Sequence, residues 1–348
     1  MRNPRPLTAV RRTLAAVVVV VVAATGCSGP RTAPPEPAPS PDLSRRPTPV
    51  ATRSGPFAAG PVAPPATGAY LGAWVRPAKL SQAGRLSAVR GLEGALDRRL
   101  RIVNTYRRFE EHFGTASDRI FVRQGKTIML SWASGDTRSI TSGLHDDLIR
   151  AQARRVRGVR APILLRFRWE MDRPNLRATM WSAADFIAAW RHVREIFAEE
   201  RVRNASWVWC PTAEGFMRGE APAFYPGDDA VDWTCVDVYA GHSFRSLGDL
   251  LAPFLAWAAQ RPKPIILGEF GVARAWGSTQ RAAWLRDAAR TIKANRQIRA
   301  VCYFESNPDG NGAEQQFRLS DDAPAFRAFA RLTRDPYFNP GRTRRPAP

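Results

Sequence analysis

Eight short apolar runs recur between Ala69 and Ser306, and this repetition limits the possible folds more than any other feature. They are "AYLGAW" (69–74), "RIVNTY" (101–106), "TIMLSW" (127–132), "PILLRFRWE" (162–170), "ASWVWC" (205–210), "TCVDVYA" (234–240), "PIILGE" (264–269) and "AVCYFES" (300–306). Between most of them lie helical periodicities, at Leu144 to Val156, Ala183 to Ala198, Leu250 to Ala259 and Thr279 to Ile292. Ser182, with Asp185 three residues on, reads as the N-cap of the helix from Ala183. Strands that alternate with helices pair in parallel, and eight such units close on themselves. The expected fold is therefore an α/β (β/α)8 barrel over residues 68–338, close to the ~250 residues typical of that architecture.

The chain ends read differently. Arg2, Arg5, Arg11 and Arg12 precede an apolar run from Leu14 to Ala24. That run is too short to span a bilayer and suits an export signal over residues 1–26. It ends in Ala24-Thr25-Gly26-Cys27, which resembles a bacterial lipobox with Cys27 as the lipid-bearing residue. Arg11-Arg12 also fits a twin-arginine signal, so either export route is open, and a retained anchor helix is the competing reading. Residues 27–67 are mostly Pro, Ala, Ser, Thr and Arg, and cannot bury enough surface to offset their ordering entropy. They are expected to be a disordered Pro/Ala-rich tether, and residues 339–348 a disordered tail. The folded part then works outside the cytoplasm, lipid-anchored in the cell envelope or secreted.

The formal charge of +21 raises nucleic acid as a partner. Nearly all of it is arginine scattered through every segment, with no dense basic block interleaved with exposed aromatics, so no nucleic-acid site is expected. His112, His145, His192 and His242 are far apart, and no two cysteines form a CxxC pair. Neither metal nor cofactor is expected. Outside the cytoplasm a Cys210–Cys235 disulfide is open to the chain, but three buried thiols at Cys210, Cys235 and Cys302 are the plainer expectation.

Two acids stand out because they end apolar runs: Glu170 the fourth and Glu269 the seventh. Catalysis in such barrels sits at the C-terminal strand ends. A pair of carboxylates across a cleft is what glycosidic cleavage requires, one protonated to deliver a proton and one ionised to attack carbon or activate water. Trp169 and Met171 give Glu170 apolar flanks that favour its neutral form, and Tyr239 is placed to donate a hydrogen bond to Glu269. Strand alternation would put Arg166, Arg168 and Glu170 on one face, with Arg166 serving Glu269 or the substrate. Aromatics at strand ends stack on sugars, so Trp132, Trp209 and Tyr303 are candidate substrate contacts, against the alternative that the tryptophans plug the barrel. Trp169 would face the cleft or turn to the helices, and Trp276 would form an aromatic wall. Asp228, Asp229 and Asp232 would order the loop before the sixth run. Trp74, Trp190, Trp257 and Trp284 read as packing residues.

The ordered set "LSWAS", "GLHDDLIRAQA", "PILLRFRWEMD", "NASWVWCP", "FYPGDDAVDWTCVDVYAG" and "KPIILGEFG" resembles glycoside hydrolase family 26, over roughly 200 residues in the family's order. The resemblance implies a barrel with its acids on strands 4 and 7, and a retaining mechanism with Glu170 as acid/base and Glu269 as nucleophile. It implies a β-linked polysaccharide substrate, mannan by default. Where the family has His-Glu-Met-Asn-Gly, this chain has Trp169-Glu170-Met171-Asp172-Arg173, and the family's Trp-Tyr-Pro-Trp sequence is missing. A monomer is expected. Two other classes compete: a glycan-binding surface lipoprotein without turnover, and an envelope scaffold that holds anionic wall polymers by charge.

Overall fold

The computed structural model describes residues 60–308 and 310–340. The export signal, Cys27, residues 27–59 of the expected tether and residues 341–348 lie outside the described residues. Among the described residues no helix is long and apolar enough to cross a membrane.

All eight runs form strands: β1 (Tyr70–Val75), β2 (Ile102–Arg107), β3 (Thr127–Trp132), β4 (Ile163–Phe167), β5 (Ala205–Trp209), β6 (Trp233–Ala240), β7 (Ile265–Val272) and β8 (Ile298–Glu305). Each pairs in parallel with its neighbour, and β1 pairs with β8, so the sheet closes into a barrel. The expected helices are present as Asp146–Gly158, Ala183–Glu199, Leu247–Ala258 and Gly277–Ala294. Ser182 caps the second by accepting a hydrogen bond from the Asp185 amide at 3.0 Å. This satisfies one of the amides that a helix start leaves without a partner.

Alternation divides the apolar side chains into two layers. Ile102, Met129, Leu164, Val208, Trp233, Ile266 and Ala300 fill the barrel interior. Their strand neighbours, including Leu130, Leu165, Val236, Leu267 and Val301, face the helices. Packing begins earlier than the expected boundary at residue 68. Val62 is buried in the interior cluster, its amide donating to Ser206 Oγ at 2.9 Å and its carbonyl accepting from Trp233 Nε1 at 3.0 Å. Asn339, expected to start a tail, is buried and locks the first strand: its side chain accepts from the Leu71 amide at 2.7 Å and donates to the Arg99 carbonyl at 2.9 Å.

Two departures from regular strand geometry position the functional residues. β4 ends at Phe167, and both Arg168 and Glu170 adopt left-handed backbone, with φ of 43° and 55°. Regular alternation therefore stops two residues before Glu170, and it is this turn, not the strand pleat, that brings Glu170 to the side Arg166 faces. Residues without a glycine's freedom adopt this conformation only when neighbours hold them. Here the Arg168 amide donates to the Trp132 carbonyl at 2.8 Å and the Glu170 amide to that of Cys210 at 2.7 Å. In β7, Val236 pairs with Leu267 but Asp237 pairs with Glu269, so Gly268 is an extra residue. The bulge resets the alternation: Ile266 faces inward below it, and Glu269 faces inward above it.

The cysteine expectation is corrected. Cys210 and Cys235 are joined by a disulfide, and only Cys302 is a free, buried thiol among the described residues. Both bonded cysteines face the interior from adjacent strands, with Cα atoms 4.3 Å apart.

Candidate active site

The C-terminal rim of the barrel gathers Tyr106 from β2, Arg166 from β4, Glu170 from the turn after it, Asp237 and Tyr239 from β6, and Glu269 from β7. One oxygen each from Glu170, Asp237 and Glu269 lie within 4.8 Å of one another. Two acids separated by 99 residues of sequence thus share one site.

Glu269 is nearly buried and meets three donors. Tyr106 Oη and Arg166 Nη2 reach its Oε1, and Tyr239 Oη reaches its Oε2. Donors directed at both oxygens match an ionised carboxylate, which only accepts. Arg166 is fully buried, and its Nη1 lies 2.8 Å from both Asp237 oxygens. Its Nε donates to Ser131 Oγ at 2.8 Å, and that hydroxyl donates to Asn104 Oδ1 at 2.6 Å. A buried guanidinium held on all edges fixes the orientation of Glu269. Burial, then the charge of Glu269, pushes the Tyr106 and Tyr239 phenols well above their ordinary range, so both remain donors.

Gly268 makes this arrangement possible. A Cβ there would lie 2.5 Å from Cys235 Sγ, 2.7 Å from Asp237 Oδ1 and 2.9 Å from Arg166 Nη1. The bulged residue must lack a side chain for the guanidinium to pass beside it.

Glu170 sits in different surroundings. Its side chain is 12% exposed and its Oε2 accepts from Arg173 Nη1 at 2.8 Å. Burial, followed by the nearby charge of Glu269, raises its pKa to about 7, against the opposing pull of Arg173. An acid that is half protonated near neutrality, next to one held by three donors, is an arrangement with the chemistry to deliver a proton and to attack carbon.

Aromatic rings line the approach. Trp169 is half-buried and faces the site: its ring lies 5.0 Å from that of Tyr106 and 5.4 Å from the Arg166 guanidinium. Trp74, read from the sequence as a packing residue, meets Tyr106 edge-on at 4.9 Å. Tyr239 packs on Phe317 at 4.4 Å and Phe304 at 5.8 Å. A groove of ≈ 740 Å³ opens farther along the rim, past the ends of β1 and β8, lined by Lys79, Glu305, Arg318 and Ser320; it does not contain the acid pair.

Three predicted sugar contacts are corrected. Trp132 is fully buried on the outward face of β3, stacked on Phe109 at 5.3 Å, with its Nε1 donating to the Phe109 carbonyl at 3.0 Å. Trp209 is buried against Trp257 and donates to the Phe224 carbonyl at 3.0 Å. Tyr303 is buried against Phe329, its hydroxyl donating to the Phe317 carbonyl at 2.8 Å. Each occupies an outward position, one residue from an inward neighbour. Trp276 lies in the loop after β7, donating to the carbonyls of Ala240 at 3.1 Å and Gly241 at 2.9 Å and packing on Phe244. These bonds brace the loop after β6. Asp228, Asp229 and Asp232 hold their loop through Tyr225, Arg191 and the Trp207 amide.

Asp237, Tyr106 and Asn104 were missed by sequence reasoning, although alternation could have found them. Asn104 and Tyr106 share a face in "RIVNTY", and Asp237 shares one with Tyr239 in "TCVDVYA". The Glu170, Asp237 and Glu269 oxygens are close enough to surround a cation, but Arg166 already supplies the positive charge between Asp237 and Glu269. The sulfurs of Cys210 and Cys235 are bonded to each other and offer no thiolate ligand.

The chain is similar to known glycoside hydrolases. Residues 112–261 match the sequence model of Glycosyl hydrolase family 26. Endoglucanase H of Acetivibrio thermocellus is 25% identical over 292 residues, covering 76% of this chain and 30% of that protein. The β-1,3-xylanase TXYA of a Vibrio species is 27% identical over 142 residues, 39% of this chain and 29% of that protein. The chain thus spans about a third of the length of these relatives. Among solved structures, a family 26 β-mannanase of Bacteroides ovatus superposes with a TM-score of 0.59 at 16% identity, covering 78% of this chain and 90% of that one. A family 26 endo-β-1,4-mannanase of Bacillus sp. JAMB-750 gives 0.58 at 15% identity, covering 78% and 87%. At these identities the structural likeness speaks for the shared barrel.

Proposed function

We propose that this chain, which carries a glycosyl hydrolase family 26 domain, is an enzyme that cleaves β-linked polysaccharide with retention of anomeric configuration. The observation that carries the reading is the pairing of Glu170, protonated up to about pH 7, with Glu269, held by three donors, their nearest oxygens within 4.8 Å. Retaining glycosidases hold their carboxyl groups about 5–5.5 Å apart, and inverting ones about 6.5–9.5 Å to admit water.

In the first step Glu269 attacks the anomeric carbon while Glu170 gives its proton to the departing glycosidic oxygen. A glycosyl ester forms on Glu269 and the shortened chain leaves with the proton. In the second step Glu170, now a carboxylate, takes a proton from water as that water attacks the anomeric carbon, and Glu269 is released. The Arg166–Asp237 pair keeps Glu269 aimed throughout. The half-buried Trp169 presents an apolar face on which a sugar ring stacks.

Mannan is the first substrate to test, because the two superposed structures are those of β-mannanases; the sequence relatives are an endoglucanase and a β-1,3-xylanase. Outside the described residues, the signal-like segment and Cys27 support export and attachment to the outer face of a membrane by lipid. The Cys210–Cys235 disulfide supports the same location, since such bonds persist in oxidising compartments.

The test is the anomer first released from β-mannan, followed by proton NMR before mutarotation. The β-anomer is expected, and the α-anomer would overturn the assignment. Glu269→Ala should lower turnover by about 10⁴-fold or more, in the range seen when a catalytic nucleophile is removed. Azide entering the vacated space should then yield a glycosyl azide of inverted configuration.

A further inference from the structure

Four arginines are buried among the described residues, and three of them are paired. Arg107 meets Asp118 at 2.8 Å, Arg166 meets Asp237 and Glu269, and Arg281 meets Asp322 at 2.7 Å. Arg168 is the exception. It is 9% exposed, its Nε is buried without a hydrogen-bond partner, and no carboxylate forms an ion pair with it among the described residues. Its guanidinium rests 5.6 Å from the centre of the Trp169 ring, the same ring that borders Tyr106 in the active site. Burial pushes its pKa down to about 10, and Glu170 opposes this only in part. Taking a charge out of water without a counter-ion is destabilising by several kcal/mol.

A second orphan lies just past the end of the neighbouring strand. Ser134 Oγ is also buried without a partner. The Arg168 amide bonds to the Trp132 carbonyl, which puts Ser134 two residues past the contact on the neighbouring strand end. Two unsatisfied polar groups on adjacent strand ends of the catalytic rim have a shared explanation: the fold leaves them for something that binds.

We propose that Arg168 and Ser134 form a subsite for the carboxylate of an acidic sugar, so that the preferred substrate carries uronate units. This rests on the hydrolase reading and narrows it to a substrate class. A planar guanidinium beside an indole is suited to a carboxylate, and Ser134 supplies a further donor. The bound carboxylate would also remove the uncompensated charge.

The experiment uses oligosaccharide pairs that differ only in oxidation at C6: β-1,4-mannohexaose against the β-1,4-mannuronate hexamer, and cellohexaose against its glucuronate counterpart. Calorimetry is run on wild type, Arg168→Met and Ser134→Ala, with Glu170→Gln as background to prevent turnover, and cleavage is measured with Glu170 restored. The acidic member of one pair should bind about ten- to hundredfold tighter than the neutral one, as expected for hydrogen bonds to a charged partner. Arg168→Met should abolish that preference and Ser134→Ala should reduce it. Arg168→Met should melt no lower than its parent, because the charge it removes has no partner. An absent preference, a preference that survives Arg168→Met, or a variant that fails to fold would each overturn the subsite. Cleavage of neutral oligomers without acid preference would remove the subsite and leave the hydrolase. Acid preference without cleavage of any oligomer would remove the hydrolase and leave the subsite.

Discussion

Glu170→Gln should stabilise the protein in alkali while disabling it, by an amount that follows from the burial of this acid. In the unfolded chain the carboxyl ionises near 4.5, and in the fold near 7. Between those values the folded state holds a proton that the unfolded state has lost, so stability falls as pH rises through this window. Below 4.5 there is no such loss, and above 7 the loss is complete. A rise of about 2.5 at about 1.4 kcal/mol per pH unit gives about 3–4 kcal/mol. Glutamine has the same shape and no charge to desolvate. The stability of Glu170→Gln minus that of wild type should therefore grow by about 3–4 kcal/mol between pH 4.5 and 8. With roughly 2–4 °C per kcal/mol for a domain of this size, the variant should gain at least about 6 °C on wild type at the alkaline end. Paired thermal melts across pH provide the assay, and taking the difference cancels the titrations that do not depend on Glu170. Turnover should move oppositely. Loss of the proton donor should cost about 10²–10⁴-fold on unactivated glycosides and much less in the first step on glycosides of acidic phenols. Wild-type kcat/KM should fall tenfold per unit above about pH 7. A stability difference independent of pH would refute the argument, because Glu170 would then ionise alike in both states.

Two further substitutions test the placement of residues around the site. Gly268→Ala should lower stability by about 1–3 kcal/mol, the usual range for overpacking, and cut kcat more than it raises KM, because its methyl displaces the Arg166 guanidinium; unchanged kcat would show that the bulge tolerates a side chain. Trp132→Ala should lower stability by about 3–5 kcal/mol in urea titration with KM unchanged, whereas Trp169→Ala should raise KM with a smaller effect on stability; the opposite pattern would restore Trp132 as a sugar contact.

The sequence carried most of the framework because the apolar runs answer directly to burial. All eight strands lie within their runs or overhang them by a few residues, and Ser182 caps the helix it was expected to start. Glu170, Glu269, Tyr239 and Arg166 were legible as polar residues that an apolar context does not explain. The errors share one cause. Trp132, Trp209 and Tyr303 were judged by nearness to a strand end, whereas which way a side chain points depends on odd or even count along the strand, and all three point outward. Asp237 and Tyr106 were passed over because runs read as core conceal their polar members. Where the count itself changes, at the Gly268 bulge and the left-handed turn through Arg168 and Glu170, no local pattern announces it. Both features are set by contacts between segments far apart in the chain.

The extra residue in β7 makes the aim of Glu269 a matter of counting along the chain. Were the ladder to run regularly through every one of these residues, Gly268 would take the inward place opposite Asp237, Glu269 would turn into the helix layer and Phe270 would come to the axis. A substitution that draws Gly268 into the regular ladder should thus abolish chemistry even where Glu170 and Glu269 are both kept. Exchanges of one apolar residue for another at the outward positions of β7 should be tolerated.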